Sequence, residues 1–288
     1  MKRKIRFLPY FYAILFLFFV TSCQRKDKPK ELGEKLPIVQ KELDDTISGN
    51  IVYTKYKLPL PVELYNFMKE EKMRFRKEFI NKTENSRKYL TSVALSVNFG
   101  IYASDLAYCI VFEQNQEAVN YFNLTKEIAD KLHIAQGYDQ AIIERMHSNL
   151  YNKDSLNQIA STSYWNACNF LEANSEINIL PFIVAGGWVE SIHLAIQTAE
   201  KGKMNPRIVN EIADQGESLK SLIKYLFDVM MDSNTFEVNQ DIQDLGSKLN
   251  DLKVLYDDLK NNTKEKISQS QFEKISKKIG DIRAFYTK

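Results

Sequence analysis

The sequence predicts an all-α protein, and three observations predict it. Glycine (10) and proline (7) together are only 17 of 288 residues, about half of average usage, so turns are too sparsely punctuated for a many-stranded β fold. No proline lies between Pro61 and Pro181, and none follows Pro206. Apolar residues recur at helical spacing through both stretches. A hydrophobic share of 44% against 26% charged residues excludes a wholly disordered chain and a multi-span membrane protein. The expected arrangement is a multi-helix bundle or stacked helical hairpins with a two-fold internal pseudo-repeat, followed by a C-terminal coiled-coil-like helical hairpin.

In chain order, the periodicity predicts helices over 61–72, 84–112, 115–133, 138–151, 154–173, 178–201, 206–232, 237–260 and 268–286. Asn205-Pro206 is a cap followed by proline at the first helical position, where the missing N–H costs nothing. Ser268 and Gln271 have the spacing of a capping box. Asn115 and Asp154 are acceptable N-caps, and Gly137 and Gly202 sit where helices should stop.

Two helices stand apart. Tyr89 to Phe112 carries one charge, Asp105; Asn178 to Ala199 carries one carboxylate, Glu190, and His193. Each is apolar on every side, the signature of a central bundle helix or a membrane span. Interspersed Ser, Asn, Gly, His and Gln favour buried central helices. Gly100-Ile-Tyr102-Ala-Ser104-Asp105 aligns with Gly186-Gly-Trp188-Val-Glu190-Ser191, which is the core of the pseudo-repeat. At the C-terminus, Ile242, Leu245, Leu249, Leu252, Tyr256 and Leu259, then Phe272, Ile275, Ile279, Ile282 and Tyr286, follow alternating steps of three and four. Such narrow seams belong to an antiparallel hairpin of the coiled-coil kind over 236–288, expected to be semi-independent of a 58–233 core.

Residues 1–22 read as an address. Lys2, Arg3, Lys4 and Arg6 precede an apolar run from Phe7 to Val20, too short to span a bilayer and right for a signal peptide. The next residues, Val20-Thr21-Ser22-Cys23, resemble the lipobox of bacterial lipoproteins. That resemblance implies cleavage before Cys23 and a diacylglyceryl thioether on it. Two or three acyl chains anchor a protein stably where one would not. Gln24, not Asp, follows the cysteine, so the resemblance favours the outer over the inner membrane. Residues 23–57 then serve as a lipidated tether spanning roughly 30 Å if flexible. Four of the 39 basic residues and none of the 37 acidic ones lie in 1–22, so the mature chain carries −2 rather than +2. Nucleic acid is therefore not an expected partner.

GIYASDLAYC (100–109) and AGGWVESIHLA (185–195), following a lipobox in this order, resemble an uncharacterised family of all-helical bacterial lipoproteins, over about Tyr53 to Tyr225. The resemblance implies address and architecture and brings no activity.

Candidate chemistry is sparse. Glu144-x-x-His147 and Glu190-x-x-His193 have the spacing of carboxylate-bundle metal ligands, but both glutamates fall away from the apolar stripes, so no metal is expected. Gly186-Gly187 matches no phosphate-binding loop and is read as a close helix contact. No G-x-S-x-G or H-E-x-x-H occurs and the chain has three histidines, so no enzyme and no cofactor is expected. Cys109 and Cys168 are left after lipidation; buried thiols are the default, and a disulfide is permitted outside the cytoplasm. Asp105, a lone acid in an apolar helix, must be hydrogen-bonded, paired or protonated, with Ser191 and Trp188 the nearest expected donors. The expected function is a lipid-anchored, non-catalytic helical binding or scaffold module of the cell envelope, with an envelope protein or a small ligand as its partner. The alternatives are a small ligand held near Tyr102, Asp105, Trp188 and Glu190, or an unrecognised hydrolase.

Overall fold

In the computed structural model, residues 55–56, 60–174, 178–201, 205–232, 236–259 and 267–288 are described. Cys23, the lipobox and the signal segment lie outside them. The described residues are helical throughout, with no strand among them.

Pro61 opens α1 (Pro61–Glu70) in the position where its missing N–H is harmless. Short 3-10 helices follow at Lys77–Phe79 and Thr83–Lys88. The long helix α2 (Ser92–Val111) begins only where the Thr91 hydroxyl accepts the Ala94 N–H at 3.1 Å. The expectation of a continuous helix from residue 84 is thus corrected. Residues 84–91 are mostly polar and offer no apolar stripe to bury, and the true cap lies at Thr91. Next come α3 (Asn115–Lys131), α4 (Gln140–Ser148) and α5 (Lys153–Ala173). Their caps are one or two residues from those expected. Asp139 caps α4 and Asn152 caps α5 through side-chain oxygens, whereas α3 has no side-chain cap.

The second central helix is α6 (Leu180–Lys201). The single helix expected over 206–232 is two, α7 (Pro206–Asp214) and α8 (Gly216–Asp232). The break falls at Gln215-Gly216, where Gly216 sits under the Tyr256 ring. The last two helices are α9 (Phe236–Leu259) and α10 (Gln269–Thr287), the latter started by the expected capping box at Ser268 and Gln271. The Asn205 cap of α7 is likewise present, its Oδ1 accepting the Arg207 N–H at 2.9 Å.

α2 and α6 form the centre. Both are long and apolar enough to cross a membrane by composition, and both are mostly buried within the helical body. Their crossing is set by glycine. A Cβ on Gly100 would lie 1.9 Å from the Ile183 carbonyl oxygen, and one on Gly186 would lie 2.1 Å from that of Val97. Only hydrogen fits between backbones this close. Gly100 and Gly186 are aligned in the two similar segments, and each meets backbone of the opposite helix, at Ile183 and at Val97. Around this crossing, side chains such as Phe99, Ile101, Phe182 and Ile183 are fully buried, each contributing about 1.5–3 kcal/mol.

Three helix ends turn left-handed without glycine. Lys72, Glu113 and His133 have φ of 60°, 59° and 60° after α1, α2 and α3. Each is followed by a 6→1 backbone bond, such as Ile134 N–H to the Ala129 oxygen at 2.9 Å, closing a Schellman cap.

Both expected C-terminal seams are buried, from Ile242 to Leu259 on α9 and from Phe272 to Ile282 on α10. Yet the hairpin is not set apart from the core as expected. α10 lies against α6 and α2, because a cation near its end inserts among buried acids. The tether boundary also moves. Tyr56 is buried against α8, its hydroxyl donating to Asp228 at 2.6 Å and its ring 5.0 Å from that of Tyr225.

Candidate functional site

The first candidate is a buried polar cluster between α2, α6, α10 and the segment after the first 3-10 turn. Glu190 has no solvent exposure. Arg283 from α10 grips it with two parallel bonds, Nε to Oε2 at 2.5 Å and the terminal nitrogen to Oε1 at 2.8 Å. The same guanidinium donates to the Phe79 carbonyl at 3.1 Å. A bidentate guanidinium is the pairing that best compensates a carboxylate out of water.

Asp105 is equally buried. Its Oδ2 accepts the Asn81 backbone N–H at 3.1 Å, and its Oδ1 has no donor. Burial, and next the negative charge of neighbouring Glu190, hold its carboxyl well above the usual range, with Arg283 pulling the other way. Burial beside Glu190 therefore drives Asp105 toward its neutral form. The expected donors are corrected: the Ser191 hydroxyl donates to the Trp188 carbonyl, and the Trp188 indole N–H has no partner. Asn81 took their place because the 3-10 segment folds back over α2.

Tyr102 closes the cluster from above, its hydroxyl donating to the Lys82 carbonyl at 2.9 Å. Tyr121 donates to the Asn81 carbonyl at 2.7 Å. Asn98 donates to the Tyr286 carbonyl at 2.8 Å, tying α2 to the end of α10. Almost every lone pair here is used within the protein. Such a cluster specifies one packing of the helices and offers a ligand little. Burial and then Arg283 lower His193 to about 4, against a partial rise from Glu190.

The second candidate is a cavity of about 80 Å³ between α2, α5 and α6, with Leu60 and Pro61 at its edge. Of the four residues expected to share a ligand pocket, only Trp188 borders it; Tyr102, Asp105 and Glu190 belong to the polar cluster. The four therefore do not converge on one space. The reason is the helical turn: Trp188 and Glu190 are two residues apart and face opposite sides of α6.

The remaining expectations can be placed. Glu144 and His147 are exposed on α4, where Gln140 donates to Glu144. Among the described residues no three His, Cys, Asp or Glu side chains are positioned to hold a metal ion. Cys109 and Cys168 are buried free thiols, and burial raises both above the ordinary thiol range. An open groove between the 3-10 segment and α3 mixes Lys77, Lys82 and Arg87 with Glu78, Glu84 and Glu117, so it carries no single sign of charge.

Arg283 is the residue that sequence reasoning missed. Its only signal was its position on a seam-bearing helix, one residue after the buried Ile282. Comparison with protein-family models, curated proteins and solved structures finds no match to this chain.

Proposed function

We propose that this chain is a lipid-anchored, non-catalytic helical binding module of the bacterial cell envelope, attached at Cys23 and favouring the outer membrane. The observation that carries the reading is the N-terminal order of charge, apolar run and Val20-Thr21-Ser22-Cys23. An all-helical body and the resemblance in GIYASDLAYC and AGGWVESIHLA support it. Metabolic labelling with a fatty acid tests it. The parent should label and fractionate with membranes, and Cys23→Ser should do neither. A Cys23→Ser protein that still labels would overturn the anchoring.

What the module binds is an envelope protein or a small ligand. The cavity beside Trp188 is the specific observation favouring the small ligand. The buried acids favour neither, since Arg283 and Asn81 occupy them.

A further inference from the structure

We infer that the cavity between α2, α5 and α6 holds one slender, uncharged alkyl chain whose oxygen head accepts the Trp188 indole N–H; this names the ligand of the binding module proposed above.

Four observations converge. After its first turn, α2 is buried at every position except Ala103 and Ala107, which are partly exposed. These two are one helical turn apart and both line the cavity, so the notch is a gap in an otherwise covered helix. Across it, α5 presents Asn157, Ala160, Ser161 and Tyr164, also spaced along one face and all half-buried. Small side chains on both walls leave a narrow slot where larger ones would have met.

No charged residue lines the cavity. An ionised ligand would enter without a counter-charge, which is costly in an apolar setting. The lining is instead aliphatic and aromatic, the environment that takes up alkyl chains.

The indole N–H of Trp188 is buried and unpartnered, although the residue is only 4% exposed. A buried donor without an acceptor is uncommon in a folded protein. Trp188 borders the cavity, so a ligand oxygen that reaches its indole N–H removes the deficit. A volume of about 80 Å³ admits a chain end and excludes a drug-sized body.

The two tryptophans of the chain, Trp165 and Trp188, both border this space, which makes it optically addressable. The experiment uses the mature chain from residue 23 with Cys23→Ser, so that no acyl group of its own competes. Titration with 4-bromobutan-1-ol, short enough to keep its bromine inside the space bordered by both tryptophans, should quench tryptophan emission saturably, because bromine quenches at contact. Ala103→Phe or Ala107→Phe, each filling the notch, should weaken that quenching at least fivefold while thermal melting shows the protein folded. If either fails to fold, Ala160→Leu on the opposite wall should do the same. Trp188→Phe should weaken binding of the bromoalkanol about 3–10-fold, the worth of one hydrogen bond, and leave a bromoalkane unaffected. Quenching that is linear, or equal in parent and filled variants, would overturn the site. Tighter binding of the 4-bromobutanoate anion than of the alcohol would overturn the uncharged head. Equal losses for alcohol and alkane in Trp188→Phe would overturn the indole's role. Fatty-acid labelling reads the anchor separately, so failure here leaves that result standing.

Discussion

Arg283 on the last helix neutralises Glu190 on the central helix, across 93 residues of sequence and with no solvent at the carboxylate. Breaking one side of such a pair leaves a bare buried charge, which costs more than the pair contributes. Arg283→Met should therefore destabilise the protein by about 3–5 kcal/mol. Adding Glu190→Leu to it should recover much of the loss. Urea unfolding of the two single variants and the double variant measures this, and additive losses would contradict the coupling.

Asp105→Asn should be tolerated and should stabilise the protein near neutral pH. Burial, and next the charge of Glu190, raise the folded carboxyl's value above its unfolded one. The folded state then binds more protons than the unfolded state at pH above about 4, and stability falls as pH rises from there. Asparagine imitates the neutral acid, accepting the Asn81 N–H without titrating. Melting midpoints of parent and variant should agree near pH 4 and separate upward in the variant's favour. A lower midpoint for the variant at pH 7 would show that Asp105 is ionised.

His193 gives the opposite slope. Its folded value of about 4 lies below the ordinary 6.5, chiefly through burial. Stability from keeping it neutral is complete above pH 6.5 and is lost as pH falls toward 4. In the Asp105→Asn background this acid limb should stand alone, and His193→Gln should flatten it. Thermal melts between pH 4 and 7 read the difference.

Gly100→Ala should be among the most damaging small substitutions in the chain. The new methyl would lie 1.9 Å from the Ile183 oxygen, and backbone cannot give way cheaply. A loss of about 3 kcal/mol or more is expected. Gly246→Ala is the control: it is helical and meets nothing within 4 Å, so it should gain about 0.5–1 kcal/mol.

His133→Gly should stabilise the protein by about 0.5–1 kcal/mol. The residue closes α3 with φ of 60°, a conformation that glycine adopts without the Cβ penalty. Its side chain is exposed, so little packing is given up. An unchanged or lower midpoint in differential scanning calorimetry would contradict the strain.

What could be read in advance follows from distance along the chain. Helix type, the Asn205 and Ser268 caps and the α9 and α10 seams are local patterns, and they were legible. The close helix contact at Gly186 was legible from small residues inside an apolar helix, but the backbone it meets, at Val97, was not. Residues 84–91 misled because periodic apolar residues begin at Tyr89, while the cap that starts the helix is the unremarkable Thr91. The ends of α1 to α3 were hidden because Lys72, Glu113 and His133 do a job usually given to glycine. Glu190 lies away from the apolar stripe but between Leu194 and Ile183, so a covered face was legible there; that α10 covers it, with Arg283, was not. The cavity was half legible. Its small residues are plain in GIYASDLAYC, but the matching row on α5 becomes a partner only when the helices pack.

The Glu190–Arg283 bond also orders assembly. Acid and base lie 93 residues apart, so closing the pair is a long-range event. Until α10 docks, the central helix carries a carboxylate that must stay hydrated or take a proton. The last helix is thus the piece whose arrival lets the core close around a charge.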